Sequence, residues 1–304
     1  MKSILITGGT GLIGSKLLDS IDKSVYNVYV LTRKKSYKEN GVNYINWDPE
    51  NSVLDISQIK NLYSIINLAG ESIDGSRWTS NYKRKILDSR VNSTRLLFNK
   101  VKEMKELPKS FISASATGFY EVNTDNPQAE TDLPGNNFLS DVVQQWEKEI
   151  LKFKSLGLRT TTFRIGLVLS KDGGVLKRLY PIFKFFLGVP IGSGKQMISW
   201  IHESDMIGLI NMAIESNKLE GIYNAVAPEI ITNTEFTKSL LKSLNRFSYP
   251  SIIKAPSFIV RILFGEQSDL VLNGLNISSK KIMQSDYKFK FTKLSSALNA
   301  IYRD

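Results

Sequence analysis

Ile4-Leu5-Ile6-Thr7-Gly8-Gly9-Thr10-Gly11-Leu12-Ile13-Gly14 opens the chain, and its reading decides the architecture. A short apolar run, glycines and then a helical pattern over Leu12–Ile21 follow one another without a gap. Such a run reads as a strand buried on both faces. Gly9, Gly11 and Gly14 satisfy G-x-G-x-x-G, and Gly8, Gly11 and Gly14 satisfy T-G-x-x-G-x-x-G. Glycine permits the tight turn and lets the backbone approach a pyrophosphate with no Cβ in the way. The free N–H groups at the helix start then face the anion. Strand, turn and helix in this order predict a dinucleotide-binding unit, with Gly8, Thr10, Gly11, Leu12, Ile13 and Gly14 around the diphosphate.

The next strand bears on which dinucleotide. An acidic residue at its end, ~20 residues beyond the glycines, would accept the ribose 2′-hydroxyl of NAD. Here Val28-Tyr29-Val30-Leu31-Thr32 runs into Arg33-Lys34-Lys35, with no acid. Arg33 offers a bidentate fork to a 2′-phosphate and Lys34 adds a point charge. NADP, as NADPH in its reduced form, is favoured over NAD.

Outward from this unit, β-branched runs alternate with amphipathic stretches, the pattern of a parallel sheet covered on both faces. Strands are expected at Ser3–Thr7, Asn27–Thr32, Val42–Trp47, Ser64–Leu68, Ser110–Ala114, Arg159–Ile165 and Ile222–Ala225. Helices are expected at Leu12–Ile21, Tyr82–Glu106, Phe138–Leu156, Val175–Leu187 and Asp205–Ser216. The fold class is thus α/β, a Rossmann-type doubly wound parallel sheet over residues 1–187, completed by about 203–227. Beyond the glycine-rich loop Gly188–Lys195 the texture is less regular. Residues 188–202 and 228–304 are expected to form a smaller α+β lid. Its helices would be Thr232–Leu244 (capped by Thr232 or Asn233), Pro256–Phe264 and Lys293–Ile301, with a weak strand at Lys288–Phe291.

Composition narrows the function classes. The absence of cysteine excludes disulfides, thiolate metal sites and cysteine nucleophiles, and with a single histidine no metal site is expected. No stretch approaches the ~20 apolar residues of a membrane span, and the N-terminus lacks a secretory pattern, so the simplest expectation is a cytoplasmic protein with no membrane partner. The net charge of +11 is spread over nearly every segment, without the long basic runs of a nucleic-acid tail. No nucleic-acid partner is expected; a basic groove for a phosphorylated small molecule fits better.

Further stretches carry a resemblance. They include Ile66-Asn67-Leu68-Ala69-Gly70-Glu71, Arg77-Trp78, Ser89-Arg90, Ile112-Ser113-Ala114-Ser115-Ala116-Thr117-Gly118-Phe119-Tyr120 and Trp146-Glu147. Arg164-Ile165-Gly166-Leu167-Val168-Leu169, Gly192-Ser193-Gly194, Ser199-Trp200-Ile201-His202 and Asn224-Ala225-Val226-Ala227-Pro228 complete the set. In these the chain resembles the extended short-chain dehydrogenase/reductases. More closely it resembles the bacterial epimerase family proteins of unassigned substrate, whose C-terminal segment is a domain of unknown function. The resemblance implies that Leu68, Ala69 and Gly70 line the centre of the cofactor, that Asp48 sits by the adenine, and that Arg164 borders the nicotinamide. It also implies that Ser115 contacts the reacting carbonyl, and it leaves room for a homodimer. The sugar-nucleotide epimerases hold a diphosphate with an arginine just before Ser199-Trp200-Ile201-His202; Ile198 takes that place here, which counts against a nucleotide-sugar substrate.

The superfamily's Tyr-x-x-x-Lys is missing. Its helix reads Phe138-Leu139-Ser140-Asp141-Val142-Val143-Gln144-Gln145-Trp146-Glu147, with Leu139 and Val143 at the two positions. They continue an apolar stripe through Val142, Trp146, Ile150 and Phe153. Tyr180-Pro181-Ile182-Phe183-Lys184 fits the spacing but lies in the wrong crossover. Ser115, Tyr120 and Glu71 are the candidate catalytic replacements; their alternatives are a strand-end serine, a packed rim tyrosine and a solvated loop acid. Arg77, Lys83, Arg90 and His202 are candidates to bind a small-molecule, anionic substrate, against helical surface charge for the cations and a structural role for His202, with Asp205 capping the next helix. Two functions stay open: an NADP-dependent oxidoreductase or epimerase with a rewired proton donor, and a non-catalytic NADP(H)-sensing protein.

Overall fold

In the computed structural model, which describes residues 1–247 and 253–303, the apolar runs become one parallel sheet. Its strands are β1 (Lys2–Thr7), β2 (Tyr26–Thr32), β3 (Val42–Asp48), β4 (Leu62–Asn67), β5 (Ser110–Ala116), β6 (Arg159–Ile165) and β7 (Gly221–Ala225). They lie side by side in the order 3-2-1-4-5-6-7, every neighbour parallel. Chain order reverses between β1 and β4, and at such a switch point the carboxyl ends of the strands open a crevice. Two short antiparallel strands, Tyr37–Glu39 and Val53–Leu54, pair with β3.

Five helices cross between strands: α1 (Leu12–Ser20), α2 (Ser80–Lys102), α3 (Phe138–Leu151), α4 (Gly174–Lys184) and α5 (Glu203–Glu215). Alternation along each strand sends neighbouring side chains to opposite faces. Ile4 and Ile6 therefore pack with Leu17 of α1 and Leu209 and Ile210 of α5. Leu5 and Ile65 pack on the other face with Leu97 of α2 and Trp146 and Ile150 of α3. All of these except Trp146 are fully buried, each contributing about 1.5–3 kcal/mol for the larger aliphatic side chains.

A third core joins α4, the short strand Trp200–His202, α6 (Asn233–Ser243) and the closing helix Leu294–Tyr302. Of the two expected caps of α6 it is Thr232 that serves, in a reciprocal capping box with Glu235. Helix α7 (Ser257–Phe264) follows the undescribed residues. Two expectations differ from what is observed. His202, not Asp205, caps α5, its Nδ1 accepting from the Ser204 N–H at 3.1 Å. Lys288–Phe291 is not a strand. Its N–H groups go to the buried Asp205, which accepts from Lys290 N at 2.7 Å and Phe291 N at 3.0 Å and so clips this segment onto α5.

Candidate functional site

The β1–α1 turn separates the work of its glycines. Gly8 has φ +68°, and a Cβ there would stand 2.6 Å from the Leu68 carbonyl oxygen. Gly14 lies so close under Gly8 and Gly9 that a Cβ would run into their backbone. These two glycines let β1, β4 and α1 meet. Gly11 is different: a Cβ there would find only the Gly8 carbonyl oxygen, at 3.3 Å, and the residue is exposed. Gly11 caps α1 without any side-chain hydrogen bond, and no acid sits in the first turn. By contrast Thr79 caps α2 and Asn137 caps α3 through their side chains. The first N–H groups of α1, on Leu12, Ile13 and Gly14, are thus left for an anion. Thr10 and Gly11 are exposed, and Leu12 and Ile13 half-buried, around the same opening.

Thr7 ties this turn to β4. Its hydroxyl donates to Asn67 Oδ1 at 2.8 Å and accepts from the N–H groups of Leu68 (3.1 Å) and Ala69 (3.0 Å). Leu68, Ala69 and Gly70 are thereby held across the switch point from Gly8–Gly11. At the end of β2, Arg33 and Lys34 are exposed, and among the described residues no carboxylate pairs with either. Asp48, at the end of β3, is engaged in a turn: it accepts from Glu50 N (3.0 Å), Asn51 N (3.2 Å) and Asn51 Nδ2 (2.7 Å). Those bonds, the Asn51 side chain first, hold its carboxyl below the usual range.

Around β5 and β6 the expected residues meet, but beneath the surface. Arg164 is only 2% exposed. Its Nε and Nη2 donate to the two Glu147 oxygens at 2.9 and 2.8 Å, and Nη1 donates to the Tyr120 hydroxyl at 2.9 Å. Its guanidinium lies 3.4 Å from the centre of the Phe119 ring. Ser115 donates to Glu147 Oε1 at 2.6 Å. Tyr120, fully buried, donates to Asn224 Oδ1 at 2.6 Å, and burial pushes its phenol up to about 12. Asn224 in turn takes its backbone N–H to Glu130 Oε1, at 2.7 Å. Where the resemblance places Ser115 at a carbonyl and Arg164 at a nicotinamide, the structure spends both on a closed ionic network between α3, β5, β6 and β7.

Leu139 and Val143 of α3 form an apolar wall. Leu139 stands against Gly118, whose added Cβ would be 3.2 Å from the Leu139 Cβ, and Val143 is buried. Glu71, beyond β4, keeps its N–H on Ser89 Oγ at 2.9 Å and its carboxylate 3.6 Å from Lys85 Nζ, with the side chain 24% exposed. Arg90 lies directly behind Gly70, whose Cβ would come within 3.0 Å of the guanidinium carbon. That guanidinium donates to the Ile86 carbonyl at 2.9 Å and lies over Trp146. Burial draws it down to about 10, against the field of Glu71.

Of the other substrate candidates, Lys83 and Arg77 meet the same C-terminal turn. Lys83 forms an ion pair with Glu266 of the C-terminal region and lies 5.1 Å from the Phe138 ring centre. Arg77 is exposed beside Gly265. His202 is buried against Phe291 at 4.1 Å, and burial holds its imidazole down at about 4. It is neutral near pH 7 and occupied with its cap. Among the described residues no cluster of metal-ligating side chains is present.

Residues 4–225 match the NAD dependent epimerase/dehydratase family, and residues 255–301 match a domain of unknown function. An epimerase family protein of Staphylococcus aureus (strain N315) is 34% identical over 307 residues, covering 100% of both chains. One of Staphylococcus saprophyticus is 36% identical over 301 residues and 98% of each. A human epimerase family protein crystallised with NADPH superposes with a TM-score of 0.88 at 29% identity, over 99% of both chains. A UDP-glucuronic acid 4-epimerase of Bacillus cereus, at 19% identity and a TM-score of 0.78 over 99% of this chain and 98% of its own, shares the fold. Matched along its sheet by the family and from end to end by these relatives, the chain belongs to the NAD-dependent epimerase/dehydratase family.

Proposed function

We propose that this chain binds NADPH across the ends of β1, β2 and β4 and acts on a small molecule as an oxidoreductase or epimerase that does without the Tyr-Lys pair. The observation that carries it is the uncapped start of α1 beside Gly11, with the unpaired Arg33 and Lys34 one strand away. A human relative crystallised with NADPH supports the same reading. Backbone N–H groups of Leu12, Ile13 and Gly14 hold the diphosphate. Arg33 grips the 2′-phosphate as a fork, with Lys34 beside it. Leu68, Ala69 and Gly70 present backbone to the middle of the cofactor. When bound, NADPH supplies a hydride.

The protein's part is then to bind the acceptor and manage one proton. Leu139 and Val143 exclude water on the α3 side and offer no proton. Tyr120 stays protonated, as a phenol pushed up to about 12 does near neutrality. Glu71, on the half-buried loop after β4, is the carboxylate placed to exchange a proton, and Arg90 behind Gly70 supplies positive charge to an anionic substrate.

A second reading rests on the closed Ser115–Glu147–Arg164–Tyr120 network: a binding protein that senses NADP(H) without turnover. Two measurements separate them. Thermal stabilisation by NADPH should exceed that by NADH; equal shifts would remove the role of Arg33. NADPH oxidation with a panel of aldehydes and ketones then tests for a reductase, and cofactor-induced stabilisation with no oxidation of any member favours the sensor over a reductase.

A further inference from the structure

Helix α7 is apolar at six of its eight positions, Ser257 and Arg261 being the exceptions, and Val260 is its single buried residue. Phe258, Ile259, Ile262, Leu263 and Phe264 are 42% to 70% exposed. That much apolar surface exposed on one short helix marks a site of interaction. A second apolar group follows α4, where Phe185 and Leu187 are 71% and 68% exposed. The two segments are laced together. Gly192 N donates to the Ala255 carbonyl and Ala255 N to the Pro190 carbonyl, both at 2.8 Å, and Arg246 Nε donates to the Lys184 carbonyl at 3.1 Å.

Charge singles out the same two segments. From Gly173 to His202, and again from Phe236 to Gly265, the chain has no Asp or Glu. The first stretch carries Lys177, Arg178, Lys184 and Lys195, the second Lys238, Lys242, Arg246, Lys254 and Arg261. Together they supply +9 of the formal +11 of the whole chain. Among the described residues only Arg178 and Arg261 meet a carboxylate, in Asp74 and Asp269.

We infer that the C-terminal region docks on the surface of an anionic lipid bilayer, with α7 lying in the headgroup boundary and the surrounding cations facing lipid phosphates. Exposed aromatic and aliphatic side chains ringed by Lys and Arg are what that interface selects. Eight residues of helix reach about 12 Å, enough to lie in the interface and too short to cross it. The expectation of no membrane partner rests on the lack of a spanning segment, and docking in the plane needs none. A second copy of this chain is a poorer occupant, because a two-fold contact would set the same unpaired cations against each other.

Flotation of the full chain with vesicles tests this. Binding is expected to vesicles of phosphatidylcholine containing about 30 mol% phosphatidylglycerol, at low salt, and not to phosphatidylcholine alone. Lys177→Gln and Lys184→Gln should each weaken it about fivefold. Phe258→Ser combined with Ile262→Ser should weaken it at least about tenfold, with an unchanged thermal midpoint because both sites are exposed. Failure to float with the anionic vesicles would overturn the inference. So would flotation of the Phe258→Ser/Ile262→Ser protein like the wild type, which would mark a general attraction to anions. A dimer in sedimentation that Ile262→Ser dissolves would assign α7 to a second copy and overturn it too.

Discussion

Glu147→Gln tests the tie between α3 and β6. Glu147 and Arg164 are 7% and 2% exposed at the side chain and meet through both carboxylate oxygens. Glutamine keeps the volume and one acceptor but leaves a buried guanidinium without a counter-charge. Breaking one partner of a buried pair costs about 3–5 kcal/mol. In a chain of this size about 2 °C of Tm accompanies each kcal/mol, so the midpoint should fall by roughly 6–10 °C. The companion variant Glu147→Leu/Arg164→Met removes both charges and should recover to within about 2 kcal/mol of wild type, since apolar replacement of a whole buried pair is often near neutral. Urea titration and calorimetry of Glu147→Leu, Arg164→Met and the double close a double-mutant cycle and return the coupling directly. If Glu147→Gln melts within about 2 °C of wild type, or the double is worse than the sum of the singles, the ion pair does not hold these elements and the argument fails.

Other consequences follow from the same geometry. Arg33→Asp should weaken NADPH about 10- to 100-fold while sparing or improving NADH, measured by fluorescence titration; parallel losses for both would point to a damaged strand end instead. Gly11→Ala should fold normally, as its new methyl meets only the Gly8 carbonyl, yet lose dinucleotide binding, whereas Gly14→Ala should lose stability because its methyl enters the Gly8–Gly9 backbone; equal melting of the two would refute this division. His202, held at about 4 when folded against an ordinary 6.5, makes the unfolded chain bind the extra proton between those values. Stability is therefore full above pH 6.5 and declines as the pH falls toward 4, by about 1–2 kcal/mol after allowance for screening. His202→Asn keeps a cap acceptor and should flatten that part of the pH profile; an unchanged slope would place its origin elsewhere.

Much of the fold is legible in the sequence because parallel strands are buried on both faces, and so β1, β2, β5 and β6 stand out as apolar or β-branched runs between turn signals. The helix bounds fall within a few residues for the same reason: amphipathic periodicity marks α2 and α3 clearly. Lys288–Phe291 misleads because its alternation is real while its N–H groups are claimed by Asp205, a long-range partner with no local signature. The network behind β5 is half legible. Beyond Arg159 at its start, the strand that holds Arg164 is otherwise threonines, phenylalanine and isoleucine, and a charge in its buried stretch demands a partner. Glu147 is that partner and falls four residues beyond Val143, on the strip of α3 already occupied by Leu139. The spacing points to it; what it cannot supply is the reach of Tyr120 and Asn224 into the same site from more than a hundred residues apart.

Leu139, Val143 and Glu147 share that strip, and none of them can serve as a donor: two are hydrocarbon and the third is taken by Arg164 and Ser115. On the function proposed above, the carboxylate left to handle the proton is Glu71 on the β4 side, 3.6 Å from Lys85 and in the field of Arg90. Glu71→Gln is then the substitution that tests this role. It removes a partly exposed carboxylate without touching the β1–α1 turn, so NADPH affinity and Tm should stay within about twofold and 1 °C. Turnover with whichever carbonyl compound the panel yields should fall about 10²–10⁴-fold, the usual scale for losing a general acid–base group. Turnover that survives in Glu71→Gln would mean the proton comes from solvent or from the substrate itself, and the assignment of Glu71 would have to be withdrawn.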